Sequence, residues 1–165
     1  MVTLPAPQPA AYDRFAPPLL EVVNDTLHLL TEHEAAPGRV VPLAPGVAPA
    51  WDDCCDGQLY SRIMAVTPIY STTRTAQGAR CTPVRLDVQA AIGLLRCAAV
   101  VDDRGAAPSA REIFTDGLEM SADLALMLTA LQCSSKVSQV TKWVPLGVEG
   151  GCHGGEWQFE FIVNV

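Results

Sequence analysis

Two successive cysteines, Cys54-Cys55, flanked by Asp52, Asp53 and Asp56, form the densest group of chemistry-bearing side chains in this sequence, with Cys152-His153 as the second. Thiolates, imidazole and carboxylates are the ligand types of zinc, and a thiolate beside a base is a nucleophile. Neither pattern is complete. A zinc knuckle joins two closely spaced ligands to a second such pair, whereas Cys81, Cys97 and Cys133 are spread one per segment. A nucleophilic thiol needs a cation or histidine beside it to lower its pKa, and the aspartates around Cys54 act in the opposite sense. His33-Glu34 opens like a zincin helix, but Pro37 stands where the second histidine belongs. Asn24-Asp25-Thr26 has the form of a glycosylation sequon, inside an expected helix. Phosphate-loop, dinucleotide and nucleophile-elbow glycine motifs do not occur. The residues thus assign no catalytic group, no cofactor and no metal. A metal- or thiol-dependent enzyme using Cys54, Cys55, Cys152 and His153 is the alternative of a different class. Asp52, Asp53 and Asp56 read as solvated carboxylates of a loop anchored by Trp51 and the cysteines, and His28 and His33 as helix-surface residues.

Composition narrows the function further. With 165 residues, 49% of them hydrophobic, the chain has material for one ordinary core and one domain. Its net charge of −7 and lack of a basic run argue against autonomous nucleic-acid binding, which needs a cationic face. The N-terminal MVTLPAPQPAAYDRFAPP has neither a basic n-region nor a continuous apolar h-region, so no secretory signal is expected. No apolar run approaches the roughly 18 residues of a membrane span, and no membrane partner is expected. Six cysteines allow fifteen complete pairings, which spacing does not resolve. A cytoplasmic origin favours thiols, so most are expected as small buried hydrophobes, with room for one or two late-forming bridges.

The elements that must position these residues follow from periodicity. Residues 1–16, rich in proline and alanine, read as an extended arm, and 17–165 as the domain. Pro17 and Pro18 suit a first helical turn, with Leu19, Val23, Leu27 and Leu30 at helical spacing up to Glu34. Residues 35–57 read as a long loop. Gln58 to Tyr70 is a strand, and from Val84 to Leu95 a second strand alternates before becoming apolar on both faces at Ala91, Gly93 and Leu95. Ser109 and Glu112 form a capping box for a helix running to Cys133. Its broad apolar stripe, from Ile113 and Leu118 to Leu131, predicts burial on two sides. A strand-like run from Trp143, a glycine-crowded turn and a final strand close the chain. There Trp157, Phe159, Phe161, Val163 and Val165 share one face, and Gln158, Glu160 and Asn164 the other. The order α-β-β-α-β-β predicts an α+β fold, an antiparallel four-stranded sheet with two helices on one face.

Four blocks carry a resemblance: WDDCCDGQLYSRIMAVTPIY, CTPVRLDVQAAIGLLRCAAVVDD, PSAREIFTDGLEMSADLALMLTAL and WVPLGVEGGCHGGEWQFEFIV. Over residues 51–165 the chain resembles a family of small neck proteins of siphophages infecting actinobacteria, encoded among head-to-tail connector genes. Within the neck, the α+β order is similar to tail terminators rather than to helical adaptors or β-barrel stoppers. The resemblance implies a virion structural protein, assembled in the host cytoplasm, that caps the tail tube as a ring of six copies. Its implied partners are itself, the tail tube protein and the head-to-tail stopper or connector protein, with genomic DNA passing through the lumen without specific binding. A head-completion or stopper protein of the same neck is the alternative. A closed ring needs two different sticky surfaces per subunit, for which the helix at 109–133 and the loop at 35–57 are the candidates. Carboxylates lining such a channel would repel phosphate, with Asp52, Asp53, Asp56 and Asp87 as the candidates.

Overall fold

The computed structural model describes residues 9–42, 54–70, 83–101 and 104–164. Along the chain run helix α1 (Pro9–Glu32), strands β1 (Arg39–Val41), β2 (Gln58–Ile69) and β3 (Arg85–Cys97), helix α2 (Ala110–Cys133), and strands β4 (Gln139–Glu149) and β5 (Cys152–Asn164). The strands form one sheet in the order β1-β2-β3-β5-β4. The long strands pair antiparallel, and β1 runs parallel to β2.

This corrects the expected four-stranded antiparallel sheet, because β1 adds a fifth strand and makes the sheet mixed. Arg39-Val40-Val41 is too short for alternation to announce it, and it lies between Gly38 and Pro42 in a segment that reads as loop. The pairing is secured from outside the strand, where Gly38 N donates to Asp56 O at 2.6 Å and Arg39 N to Gly57 O at 3.1 Å. The extended arm is corrected as well. Residues 9–16 are already helical, so Pro17 and Pro18 stand inside α1 rather than at its first turn. There they cannot donate to the carbonyls of residues 13 and 14, and the helix continues past two missing hydrogen bonds. Residues 1–8 lie outside the described residues.

Both helices cover one face of the sheet. Leu19, Val22, Val23 and Leu30 of α1 and Met127 and Leu131 of α2 pack against Leu59, Val88, Ala90, Ile92, Leu94, Phe159, Phe161 and Val163. The α1 positions recur at helical spacing and the β3 and β5 positions at period 2, which places all of them on one side. Of the predicted β5 face, Phe159, Phe161 and Val163 are buried and Trp157 is half-buried, its Nε1 donating to Leu124 O at 3.0 Å. Val165 lies outside the described residues.

Helix α2 begins where the sequence places it. Ser109 Oγ accepts from Glu112 N at 3.2 Å, and Ser109 N donates back to Glu112 Oε2 at 2.7 Å. That bond with Ser109 holds the Glu112 carboxyl below its ordinary pKa. The stripe of α2 is not buried throughout, however. Asp123, Met127, Ala130 and Leu131 are buried, whereas Ile113, Phe114 and Leu118 are 56%, 65% and 55% exposed. The β4–β5 hairpin turns on Gly150 and Gly151, with φ of 60° and 80°. A two-residue turn with both φ positive matches the twist of the strands and suits residues without a Cβ.

Candidate functional site

The structure unites three of the four residues weighed as a metal or thiol site, and it does so by bonding them. Cys54 is joined to Cys152 and Cys55 to Cys97. Cys97 and Cys152 are themselves directly opposed in the β3–β5 register, so two consecutive residues are fastened to two neighbouring strands at one end of the sheet. Cys54 and Cys152 are buried with Tyr60 and Leu95 in a small second core on the face away from the helices, flanked by Val41 and Leu146. Cys55 and Cys97 are exposed. Sulfurs bonded to one another are neither nucleophiles nor thiolate ligands, and the expectation of mainly free buried thiols is corrected for these four. Cys133 is a free, exposed thiol at the end of α2, beside a groove of about 240 Å³ shared with Asp25 and His28. Cys81 lies outside the described residues.

His153 is not part of that cluster. Strand alternation turns it to the helix side, where it opposes Arg96 of β3. Arg96 reaches Asp123 of α2 through Nε to Oδ2 at 2.5 Å and Nη2 to Oδ1 at 2.9 Å, and donates to Ala35 O at 3.0 Å. The hydrogen bond to Asp123 raises the Arg96 pKa against the opposing effect of burial. One side chain thus ties β3 to α2 and to the segment that follows α1. A cavity of about 10 Å³ lined by Arg96, Asp123, Trp143 and His153 has room for one water.

A second polar group, on the open face, was not apparent from the sequence. Arg62 of β2 meets Glu156 of β5 in a two-pronged pair, Nε to Oε2 at 3.1 Å and Nη2 to Oε1 at 2.7 Å. Tyr60 Oη donates to the same carboxylate at 3.0 Å, and Gln158 Nε2 to Oε1 at 3.3 Å. Burial alone would raise the Glu156 carboxyl, but the bonds from Arg62, Gln158 and Tyr60 and the Arg62 charge outweigh it and hold it below the ordinary value. Burial first, and then Glu156, pushes the Tyr60 phenol well above its usual range. The bond to Glu156 likewise raises Arg62. Both oxygens of the buried carboxylate are taken up by Arg62, Tyr60 and Gln158, which suits a structural cross-tie between strands rather than a reactive centre.

Of the remaining candidates, Asp56 is exposed in the turn after Cys55, and Asp87 on β3 accepts from Arg85 Nη2 at 3.0 Å. Trp51, Asp52 and Asp53 lie outside the described residues. His28 and His33 are exposed, His28 within 3.4 Å of Glu32. Thr26 of the sequon is buried, with Oγ1 donating to Val22 O at 2.8 Å. Among the described residues no group of three or more His, Cys, Asp or Glu side chains is placed to hold a metal ion, and no helix is long and apolar enough to cross a membrane.

What the surface offers is apolar. Ile113, Phe114 and Leu118 project from the first half of α2, and Val100 and Val101, which follow β3, are exposed as well. This lies at the end of the sheet where β3 stops, since Asp116 Oδ2 accepts from Ala99 N at 2.7 Å. A second set, Val66, Tyr70 and Val84, lies at the other end, where β2 stops and β3 begins. Strands of 12 and 13 residues separate the two by roughly 40 Å. No protein-family model matches the chain, and no curated protein matches it significantly.

Proposed function

We propose that this chain is a structural subunit of a siphophage neck, forming a ring, of six copies by the resemblance, that terminates the tail tube and joins it to the head connector. The single observation that carries the reading is the pair of exposed apolar patches at opposite ends of the sheet. One subunit cannot cover either patch with the other, whereas a head-to-tail contact repeated around an axis covers both in every copy. The sequence blocks of 51–165 supply the kind of assembly, and the closed polar networks agree with a scaffold rather than a catalyst. Two disulfides suit a protein that works in an oxidising place such as a released particle. A net charge of −7 per copy would help DNA pass a lumen without adhering.

Native mass spectrometry of the chain with and without tail tube is the test. A closed ring near six copies, stabilised by tube, is the expected result. A monomer that ignores both tube and connector overturns the reading. Electron microscopy of particles carrying a labelled chain then places the ring directly on the tube, as proposed, or one level higher, which would instead assign it as the stopper.

A further inference from the structure

The two bridges differ in access and share a neighbour. Cys55–Cys97 joins two exposed residues, whereas Cys54 and Cys152 are 2% and 1% exposed. A dissolved thiol therefore reaches Cys55–Cys97 first. Cys97 and Cys152 are register partners with side chains on the same face, and antiparallel partners have Cα atoms about 4.5–5.5 Å apart, within the span of a disulfide. Cys97 is thus placed next to the one sulfur of the buried bridge that belongs to the sheet.

We propose that the four cysteines form a redox-gated clamp in which reduction of Cys55–Cys97 lets Cys97 displace Cys54 from Cys152, freeing the 54–57 strap after one two-electron reduction. The reductant is a low-molecular-weight thiol. Its thiolate attacks Cys55 Sγ, the bond to Cys97 breaks, and Cys97 departs as a thiolate. Cys97 Sγ then attacks Cys152 Sγ, the Cys54–Cys152 bond breaks, and Cys54 keeps the electron pair and takes a proton from water. A second thiol resolves the mixed disulfide on Cys55, leaving it as a thiol and releasing the oxidised reductant. Two thiols become one disulfide, and the protein ends with Cys97–Cys152 joined and Cys54 and Cys55 free. The freed segment is the one that covers Tyr60 and Leu95 and holds β1 through the Asp56 and Gly57 carbonyls. In reducing surroundings the clamp opens at that end of the sheet, and in oxidising surroundings it is closed. The inference does not depend on the neck reading.

The test uses the full chain with Cys81→Ser and Cys133→Ser, so that four of its six cysteines remain. Dithiothreitol is titrated in, thiols are trapped with iodoacetamide, and peptides are mapped by mass spectrometry. The first doubly labelled species is expected to carry label on Cys54 and Cys55, with Cys97–Cys152 linked. Amide exchange of Arg39–Val41 should accelerate roughly tenfold or more in the same species. A Cys97→Ala variant lacks the relay, and should retain Cys54–Cys152 and slow exchange at that dithiothreitol concentration. Label on Cys55 and Cys97 with Cys54–Cys152 intact overturns the proposal, as does loss of protection in Cys97→Ala at the same concentration.

Discussion

Arg62 on β2 and Glu156 on β5 form their two-pronged ion pair across β3, the strand that lies between them. They reach each other because the β3 positions beneath are small. Ala91 is the register partner of Arg62 and of Gln158, and Gly93 that of Tyr60 and of Glu156. The side chains of the pair are 14% and 3% exposed, so each charge depends on the other for what water would have supplied. Arg62→Ala leaves a buried carboxylate without its cation, and should cost about 3–5 kcal/mol. Urea unfolding followed by tryptophan fluorescence measures it. The double replacement Arg62→Met, Glu156→Leu removes both charges together and should fall within about 1 kcal/mol of the parent. A double variant as unstable as Arg62→Ala would show that packing, not charge, dominates the site.

The same pair sets an acid limit. Glu156 titrates below an ordinary carboxyl, so its contribution is present above the unfolded carboxyl value, near pH 4.3, and is lost as pH falls through the lower folded value. Tyr60 is displaced upwards, so its neutral phenol stabilises fully below about pH 10 and the contribution is lost as pH rises further. Urea midpoints should therefore differ most between parent and Glu156→Gln above the unfolded carboxyl value and draw together progressively as pH falls below it. Tyr60→Phe should flatten the alkaline limb. A gap between parent and Glu156→Gln that stays constant from pH 7 to 3 would contradict this assignment.

Gly93 is required by its neighbour rather than by its backbone. A Cβ there would lie 2.4 Å from the Tyr60 ring, and one at Gly155 would lie 2.1 Å from the Trp143 ring. In each case the obstacle is the body of a buried or half-buried ring, which has no free space to swing into. Gly93→Ala should cost about 1–3 kcal/mol, seen as a lowered thermal midpoint by circular dichroism. In a Tyr60→Ala background the same change should cost well under half as much, since the ring it meets is gone. Equal costs in both backgrounds would place the strain elsewhere.

How far the sequence announces this structure depends on the range of the interaction. The Ser109–Glu112 box and the alternation of Phe159, Phe161 and Val163 are local, and each can be read within a few residues. Strand β1 has only three residues, which give no period, and what holds it comes from Asp56 and Gly57, each 18 positions along the chain from the donor it accepts from. Arg62 and Glu156 are 94 positions apart, and the signal that they meet is indirect: two small residues, Ala91 and Gly93, at successive open-face positions of β3. The disulfides fix which strands lie side by side, and this is information that spacing lacks. Ile113 and Leu118 mislead for a related reason. Helical spacing identifies an apolar stripe, but whether the sheet extends far enough to cover it is a property of the assembled fold.

That uncovered stripe gives the prediction on which the ring reading turns. Phe114 and Leu118 stand one helical turn apart on α2, both more than half exposed, with no described side chain burying them. Removing their apolar surface withdraws little from the monomer, and Phe114→Ser with Leu118→Ser should change its urea midpoint by no more than about 0.5 kcal/mol of stability per site. In a subunit contact the same atoms are desolvated, and large aromatic side chains of this kind dominate such interfaces. The double variant should therefore remain a folded monomer and fail to close into rings on tail tube, measured by native mass spectrometry beside the parent. Val66→Ser with Val84→Ser, at the opposite end of the sheet, should give the same defect. Mixing the two variants then separates a ring from other assemblies. In a head-to-tail contact each patch meets the other kind, so the mixture keeps one intact contact per pair of neighbours and yields dimers that go no further. Dimers in the mixture and monomers in each variant alone are the expected result, and rings formed by either variant alone would remove these patches from the contact.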